Sequence, residues 1–240
     1  VNLALTRGMV GKKHAGLLPI RGHSNVQGIG SMGVTPKLKK EIFDRLTRLG
    51  ISLPTVKGYD TLACIKAAEK NEMDFSFCLG GNLYGSNPDA ESTSNALSNI
   101  ETIVYASTSL NTGHVYGTGK NTLILPVLVR DEEHQSTTQE SMFNFVRLSD
   151  GGINRYKNLK SEVEIISEIA YRVLGSSKLI NWSKLKNHES IRKLIAKIIP
   201  GFSPISSIGI TKKEFHIPGR ILHSPFFPTD SGKANFFYHN

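Results

Sequence analysis

The chain has 240 residues, the length of one large domain or two small ones, and its hydrophobic fraction of 39% is that of a globular protein and excludes a disordered or fibrous one. Twenty-nine basic residues against 20 acidic ones leave a net charge of +9, which favours an anionic partner such as nucleic acid, a phosphate-bearing cofactor or a small oxyanion. No apolar run is long enough for a membrane-spanning helix, and two cysteines are too few for a disulfide framework or an iron–sulfur cluster. We therefore expect a cytoplasmic protein with reduced thiols, and the valine at position 1 leads us to expect a piece of a longer polypeptide.

The first half of the chain alternates helical and extended patterns. A helix is predicted between Pro36, at the first helical position, and Gly50, because leucine and isoleucine recur between them at three- and four-residue spacing. Asp60 and Asp89 are predicted to begin two further helices, the second running to about residue 97. Apolar, β-branched runs predict strands at 75–79, 100–105 and 122–129.

The second half contains the clearest helix signal. Ser161 and Glu164 form a capping box, and periodic isoleucines follow as far as Gly175. A basic amphipathic helix is predicted at 190–199, and the proline-containing residues after it predict irregular structure. The chain is therefore divided into three parts, namely a glycine-rich segment that contacts a cofactor or substrate (1–34), a Rossmann-like α/β domain (35–200) and an irregular linker (201–240).

The strands predict where a ligand would bind. Strands that alternate with helices predict an α/β fold with a mostly parallel, Rossmann-like sheet covered by helices on both faces. Ligands of such sheets bind beyond the carboxyl ends of the strands, at a switch in strand order. The candidate positions are therefore Gly80, Gly81 and Asn82 after the first strand, Ser107–Ser109 after the second, and the segment from Arg130 onward.

Within the glycine-rich segment, the most unusual stretch is residues 21–33. Its glycines permit a close approach of backbone to ligand. Five of its first seven residues carry hydrogen-bonding side chains: Arg21, His23, Ser24, Asn25 and Gln27. This combination suits an oxygen-rich, phosphate-bearing ligand, whereas the alternative is an ordinary solvent-exposed loop. We favour ligand contact, because loops often carry function.

Several common motifs are missing from the sequence. No GxGxxG run directly follows a predicted strand, and there is no Walker sequence, which argues against an ordinary dinucleotide-binding or P-loop enzyme. The eight histidines are not spaced as HxxxH or HExxH, so no protein-ligated metal is predicted. RNA-binding aromatic motifs and zinc-finger patterns are also missing, so nucleic acid is not the expected partner despite the positive charge.

Five segments match a known family in the family's order. They are Arg21–Gly28 with Met32–Gly33, Phe77–Asn82 with Asn87–Asp89, Thr122–Pro126, Leu159–Ala170, and Thr229–Phe236. Together they resemble the molybdopterin oxidoreductase superfamily, close to the formate dehydrogenase large subunits, which carry an R-G-Q-N-N-V-Q-G-x-x-x-M-G run at the first of these places. The resemblance implies that the chain is the central α/β portion and that 201–240 leads to a C-terminal barrel outside these residues.

The resemblance also implies a cofactor and a chemistry. It implies a catalytic subunit that holds molybdenum or tungsten through two molybdopterin guanine dinucleotides and performs redox chemistry on a small oxyanion such as formate. Arg21 matches an arginine beside the metal and substrate and is the implied catalytic residue. Cofactor binding is implied for Gly22, His23, Ser24, Asn25, Gln27, Gly28, Gly80, Gly81, Asn82, Ser107 and Thr108. The metal-ligating residue and any 4Fe-4S cluster would lie outside this chain, so the isolated chain is expected to be inactive.

Two departures from the family pattern keep a second hypothesis open. His23 and Ser24 stand where the formate enzymes have glutamine and asparagine, and Ala106–Ser109 replaces the usual Q-D pair. These differences indicate a separate branch of the superfamily. The alternative to an enzyme fragment is a non-catalytic α/β module that binds guanine nucleotides. The sequence does not identify the substrate, the metal or the electron-transfer partner.

Overall fold

The computed structural model describes residues 1–18, 20–153, 155–175, 179–218 and 224–238. The α-helices are α1 (Asn2–Thr6), α2 (Val26–Ser31), α3 (Lys40–Arg48), α4 (Thr61–Glu69), α5 (Leu83–Ser86), α6 (Ala90–Ser98), α7 (Gly113–Tyr116), α8 (Glu162–Leu174), α9 (His188–Ile198) and α10 (Ile208–Thr211). The strands are β1 (Phe75–Leu79), β2 (Thr102–Ser107), β3 (Asn121–Pro126), β4 (Thr137–Glu140), β5 (Phe145–Ser149) and β6 (Phe215–His216). Short 3₁₀ helices lie at Arg130–Glu132, Trp182–Lys186 and Ser203–Ser207.

A three-stranded parallel sheet forms the first half of the fold. Strands β1, β2 and β3 lie side by side in sequence order, with Phe75 opposite Thr102 and Thr102 opposite Asn121. Helix α6 connects β1 to β2 and packs with α4. The predicted Rossmann-like α/β fold is confirmed. Among the described strands this sheet contains no reversal of strand order, so its ligand position is not marked by a switch point.

Three helix starts predicted from the sequence are confirmed by their hydrogen bonds, whereas the start predicted at Pro36 is wrong, because α3 begins only at Lys40. The carboxylate of Asp60 accepts a hydrogen bond from the amide of Ala63, and that of Asp89 accepts one from the amide of Ser92, each at 2.9 Å. At the start of α8 both bonds of the predicted capping box are present. These bonds satisfy amides that the first helical turn leaves without a partner.

One face of the parallel sheet carries the first hydrophobic core. Ile103 and Tyr105 of β2 are 0% and 1% exposed, and they pack against residues of α4 and α6. The register places Phe75, Leu79 and Leu123 on the opposite face, where these side chains are about half exposed. The sheet therefore buries one face within the described residues, and on the other face the outer strands present apolar side chains while Val104 and Ala106 of the central strand are buried.

A second, antiparallel sheet joins distant parts of the chain and was not predicted. It has the order β4-β5-β6, and β6 comes from the range 201–240, for which the sequence predicts irregular structure. In that range Phe202, Ile205 and Ile208 are buried with Val146 in a second hydrophobic core. The expectation of irregular structure is wrong for these residues, because apolar residues in short elements escape a periodicity analysis.

In the part of the chain that the structure describes, no helix is both long enough and apolar enough to cross a lipid bilayer.

Candidate functional site

A large cavity lies between the glycine-rich segment, α3 and the antiparallel sheet. Its volume is about 1560 Å³, which exceeds the ~300–1,000 Å³ typical of small-ligand sites. Two of the predicted residues, Arg21 and Gln27, lie in its wall beside Ser31, Lys39 and Glu140. Further cationic or titratable wall residues are Lys12, Lys13 and His14. The cavity therefore combines room for a large ligand with a wall in which most of the charged side chains are cationic.

Arg21 is held by the side chain next to it in the cavity wall. Its Nη2 donates a hydrogen bond to Oε1 of Gln27 at 3.1 Å, and Arg21 is exposed. A guanidinium has five donors in a fixed fork, so the bond to Gln27 leaves donors for a carboxylate or phosphate. This geometry suits the role that the resemblance implies for Arg21, namely orientation of an oxyanion.

Asn25 connects the glycine-rich segment to β4. It occupies the N-cap position of α2 in a left-handed conformation (φ 63°) without a side-chain bond to the helix, and its Oδ1 accepts a hydrogen bond from the backbone amide of Glu140 at 2.9 Å. Gly28 is buried, and a Cβ at this position would collide with Oδ1 of Asn25. Contacts within the chain therefore explain why asparagine stands at position 25 and glycine at position 28. Contact of these two residues with a cofactor stays a prediction.

The other predicted residues of the glycine-rich segment lie outside the cavity wall. Gly22, His23 and Ser24 are exposed, and none of them is among the described residues that line the cavity. The sequence also suggested a loop here, whereas Val26–Ser31 forms the short helix α2. The structure thus brings Arg21 and Gln27 together with Glu140, and Gly22, His23 and Ser24 face solvent.

Glu140 is the cavity residue that sequence reasoning missed. It ends β4 and is 3% exposed, and neither of its carboxylate oxygens has a hydrogen-bond partner among the described residues. Burial raises the pKa of this carboxyl, while the nearby Ser31 and Gln27 side chains and the charges of Lys39 and Arg21 act in the opposite direction. A buried carboxylate without partners is costly when it is ionised. Its proximity to Arg21 depends on tertiary packing over more than 100 residues, so no local pattern indicates it.

The strand-end residues form a second region. Gly80 and Gly81 have φ of 68° and 74°, and a Cβ on either would meet no atom within 4 Å, so their backbone is open to a ligand. Asn82 caps α5 by accepting a hydrogen bond from the amide of Gly85, and its amide donates to Oγ1 of Thr112 at 2.7 Å. The loops after β1 and β2 thus meet at one edge of the sheet, and ligand binding by their residues stays a prediction.

Ser107 is tied to a histidine in this second region. Ser107 and His114 are 6% and 7% exposed, and Oγ lies 3.0 Å from Nε2. The amide of Asn111 donates to Nδ1 of His114, so the proton of a neutral imidazole lies on Nε2 and is donated to Ser107. An imidazole that donates to the serine does not act as its base, so this pair is not an activated nucleophile. Thr108 is exposed and open to a ligand.

The two regions are separate in this structure. None of Gly80, Gly81, Asn82, Ser107 or Thr108 is among the described residues that line the cavity. The structure therefore places Arg21 and Gln27 in the cavity wall and the strand-end residues at an open sheet edge, and their contact with a ligand stays a prediction.

The cysteines are not candidates for chemistry. Cys64 and Cys78 are free, and burial raises the pKa of both thiols, which lowers the fraction of reactive thiolate. Among the described residues, no three histidine, cysteine, aspartate or glutamate side chains cluster as metal ligands would.

Comparisons with known proteins connect the chain to longer polypeptides. It is 34% identical to an uncharacterized oxidoreductase of Mycobacterium tuberculosis (strain H37Rv) over 98% of the chain and 31% of that protein. It is 33% identical to Protein YdeP of Escherichia coli (strain K12) over 98% of the chain and 32% of YdeP. It is 27% identical to the F420-dependent formate dehydrogenase subunit alpha of Methanocaldococcus jannaschii, over 98% of the chain and 36% of the subunit. No protein-family model matches the chain.

The chain thus spans about a third of the length of these curated relatives. The relatives whose names state an activity are oxidoreductases, and the formate dehydrogenase subunit is the most distant of the three. The chain is similar to a segment of oxidoreductases of this kind.

Proposed function

We propose that the chain is the central part of the catalytic subunit of a molybdenum or tungsten oxidoreductase that acts on a small oxyanion such as formate. The observation that carries the proposal is the wall of the cavity, where the fork of Arg21 lies beside Gln27 and Lys39. The similarity to a formate dehydrogenase subunit supports the same reading. On this proposal the protein is cytoplasmic, and the isolated chain is inactive because the metal-ligating residue and any 4Fe-4S cluster lie elsewhere in the polypeptide.

The residues present suit the proposed cofactor, bis-molybdopterin guanine dinucleotide. The cavity of about 1560 Å³ is large enough for part of a dinucleotide, and Arg21, Lys39, Lys12 and Lys13 supply cationic donors for phosphate. The open glycine backbone at the sheet edge offers a second anchoring place. Because the cofactor contains two dinucleotides, we place part of one in the cavity and part of the other at the sheet edge.

The bound cofactor would supply the metal-centred electron transfer, and the protein would supply binding and orientation. Arg21 would orient the substrate oxyanion through paired N–H donors, and Gln27 would hold the guanidinium in position. Lys39 would lower the cost of bringing negative charge into the cavity. Gly80, Gly81, Asn82 and Thr108 would hold the guanosine part at the sheet edge.

The experiment uses the longer polypeptide that contains this chain, produced in a host that makes the cofactor. Arg21→Ala should lower kcat/KM for formate at least about 100-fold, the usual cost of losing a donor to a developing or bound oxyanion. Arg21→Lys should recover only part of the loss, because an ammonium lacks the fork. Arg48→Ala, a matched loss of an exposed arginine in α3, should leave kcat/KM unchanged. Equal activity of Arg21→Ala and wild type would overturn the proposal.

The second candidate is the non-catalytic guanine-nucleotide module. The open backbone of Gly80 and Gly81, separate from the cavity, is the observation that favours it. It predicts that the 240-residue chain binds GDP more tightly than ADP and that the polypeptide contains neither metal nor pterin after purification. Metal and pterin in the purified protein would exclude it.

A further inference from the structure

Glu140 stands out from the other carboxylates of the chain because it is buried beside the cationic wall of the cavity. It is 3% exposed, and neither of its oxygens accepts a hydrogen bond within the described residues. The cations that lower the pKa of Glu140 are Lys39 and Arg21, and neither of them forms a direct ion pair with it. The carboxylate is therefore stabilised by the nearby Ser31 and Gln27 side chains and by these two charges, without an ion pair of its own among the described residues.

The same two cations are the groups that an anion in the cavity would use. When Glu140 is ionised, its negative charge cancels part of the field that Arg21 and Lys39 offer to an anion. When Glu140 is protonated, that field is fully available. Occupation of the cavity by an anion and ionisation of Glu140 thus oppose each other.

We propose that Glu140 couples anion binding in the cavity to proton uptake, so that an oxyanion enters together with a proton that is taken from solvent onto the Glu140 carboxylate. The inference rests on the proposed function only in that the cavity binds an anion. It makes Glu140 a positioning and regulatory residue that acts through Arg21 and Lys39, which touch the ligand.

The direction of the coupling follows from linkage. Burial holds the pKa of Glu140 above its ordinary value, and a bound anion raises it further, since the two effects are reciprocal. Anion affinity therefore rises as the pH falls through the pKa of Glu140, approaching tenfold per pH unit for one fully coupled proton. Above this pKa, the ionised carboxylate keeps the affinity low.

Other titratable or charged groups at the cavity have to be separated from Glu140. Val1, His14 and the two lysines beside His14 also line the cavity. Glu41 also lines the cavity, but its carboxylate is exposed and pairs with Arg45 at 2.7 Å. The substitution Glu41→Gln therefore removes a negative charge from the wall of the same cavity, but an exposed one, and is the matched control for Glu140→Gln.

The test is calorimetric titration of the 240-residue chain with inorganic sulfate, a tetrahedral oxyanion whose charge is constant between about pH 5 and about pH 8. All variants carry His14→Gln to remove the histidine contribution. Measurement in two buffers of different ionisation enthalpy gives the number of protons taken up. The parent variant should take up a fraction of a proton that grows as the pH falls.

Glu140→Gln should abolish this uptake and bind sulfate at high pH as tightly as the parent does at low pH. Glu140→Asp, which still ionises, should keep the uptake, and Glu41→Gln should leave it unchanged. Circular dichroism establishes that each variant is folded. Uptake that persists in Glu140→Gln would overturn the inference and leave the anion site intact, whereas failure of every variant to bind sulfate would overturn both the inference and the proposed cavity function.

Discussion

The side-chain oxygen of Asn25 accepts a hydrogen bond from the backbone amide of Glu140 at 2.9 Å, although 115 residues separate them along the chain. This bond fixes the start of α2, which carries Gln27 and Ser31, against the end of β4. It thereby brings the glycine-rich segment and the buried carboxylate into the same wall of the cavity. The bond depends on a left-handed asparagine and on the missing side chain at Gly28.

Gly28→Ala should destabilise the fold by about 1–2 kcal/mol. A Cβ at this position would collide with Oδ1 of Asn25 and displace it from the amide of Glu140, which is then buried without a partner. Chemical denaturation of the 240-residue chain measures the change in the free energy of unfolding.

Gly30→Ala is the matched control in the same helix. A Cβ at Gly30 would meet no atom within 4 Å, and alanine is the better helix former by about 0.5–1 kcal/mol. The free energy of unfolding should therefore stay the same or increase. Equal destabilisation by both substitutions would show that the Asn25–Glu140 bond does not explain the glycine at position 28.

Ser107→Ala should cost about 1–3 kcal/mol of folding stability. It leaves the Nε2 proton of buried His114 without its acceptor. Thr108→Ala, at the exposed next position, should change the stability by less than about 0.5 kcal/mol. Thermal unfolding of both variants tests the pair, and a neutral Ser107→Ala would contradict the hydrogen bond to His114.

Glu168 should stabilise the protein at neutral pH and lose this effect in acid. Hydrogen bonds from Lys160 and Lys186, each at 2.7 Å, lower the pKa of its carboxyl to about 2. The contribution is present above the ordinary value of 4.5 and is lost as the pH falls toward 2. Glu168→Gln should therefore lower Tm at pH 7, and the difference from wild type should vanish in acid.

Added salt and a second pair provide the controls for Glu168. High ionic strength should reduce the effect of Glu168→Gln, because this cluster lies at the surface. Glu189→Gln removes an exposed ion pair with Lys193 within one helix and should leave Tm nearly unchanged. A difference in Tm that does not depend on pH would contradict the assignment to charge.

Glu140 should show the opposite pH dependence of stability. Because its pKa is raised, the folded protein binds the proton more tightly than the unfolded chain, and stability falls as the pH rises through this pKa. Glu140→Gln should therefore raise Tm at neutral and alkaline pH, and the gain should shrink in acid. A lower Tm for Glu140→Gln at alkaline pH would contradict the burial of an unpartnered carboxylate.

Local signals predicted the elements that depend on local chemistry. Three helix starts are examples, since each capping side chain bonds to an amide within the same helical turn. They are the starts at Asp60, Asp89 and Ser161, and the sequence alone is enough to predict them. The antiparallel sheet was missed because β6 has only two residues and pairs with β5 across about 70 residues of chain. Such pairing depends on tertiary contacts that no periodicity records.

The same distinction applies to the candidate site. Arg21 and Gln27 were found because their composition is unusual and they lie close together in sequence. Glu140 was missed because an isolated glutamate in a polar strand gives no signal until β4 packs against α2. Gly28 was chosen for contact with a cofactor, which stays a prediction, and the structure gives its small size a separate reason in the packing against Asn25.

The proposed cofactor is tested most directly by the content of molybdenum, tungsten and oxidised pterin in the purified polypeptide that contains these residues. One metal and about two pterins per polypeptide are expected after expression in a host that makes the cofactor. Heat or acid should release GMP along with the pterin. A folded protein with neither metal nor pterin would contradict the proposed function and leave the guanine-nucleotide module as the remaining explanation.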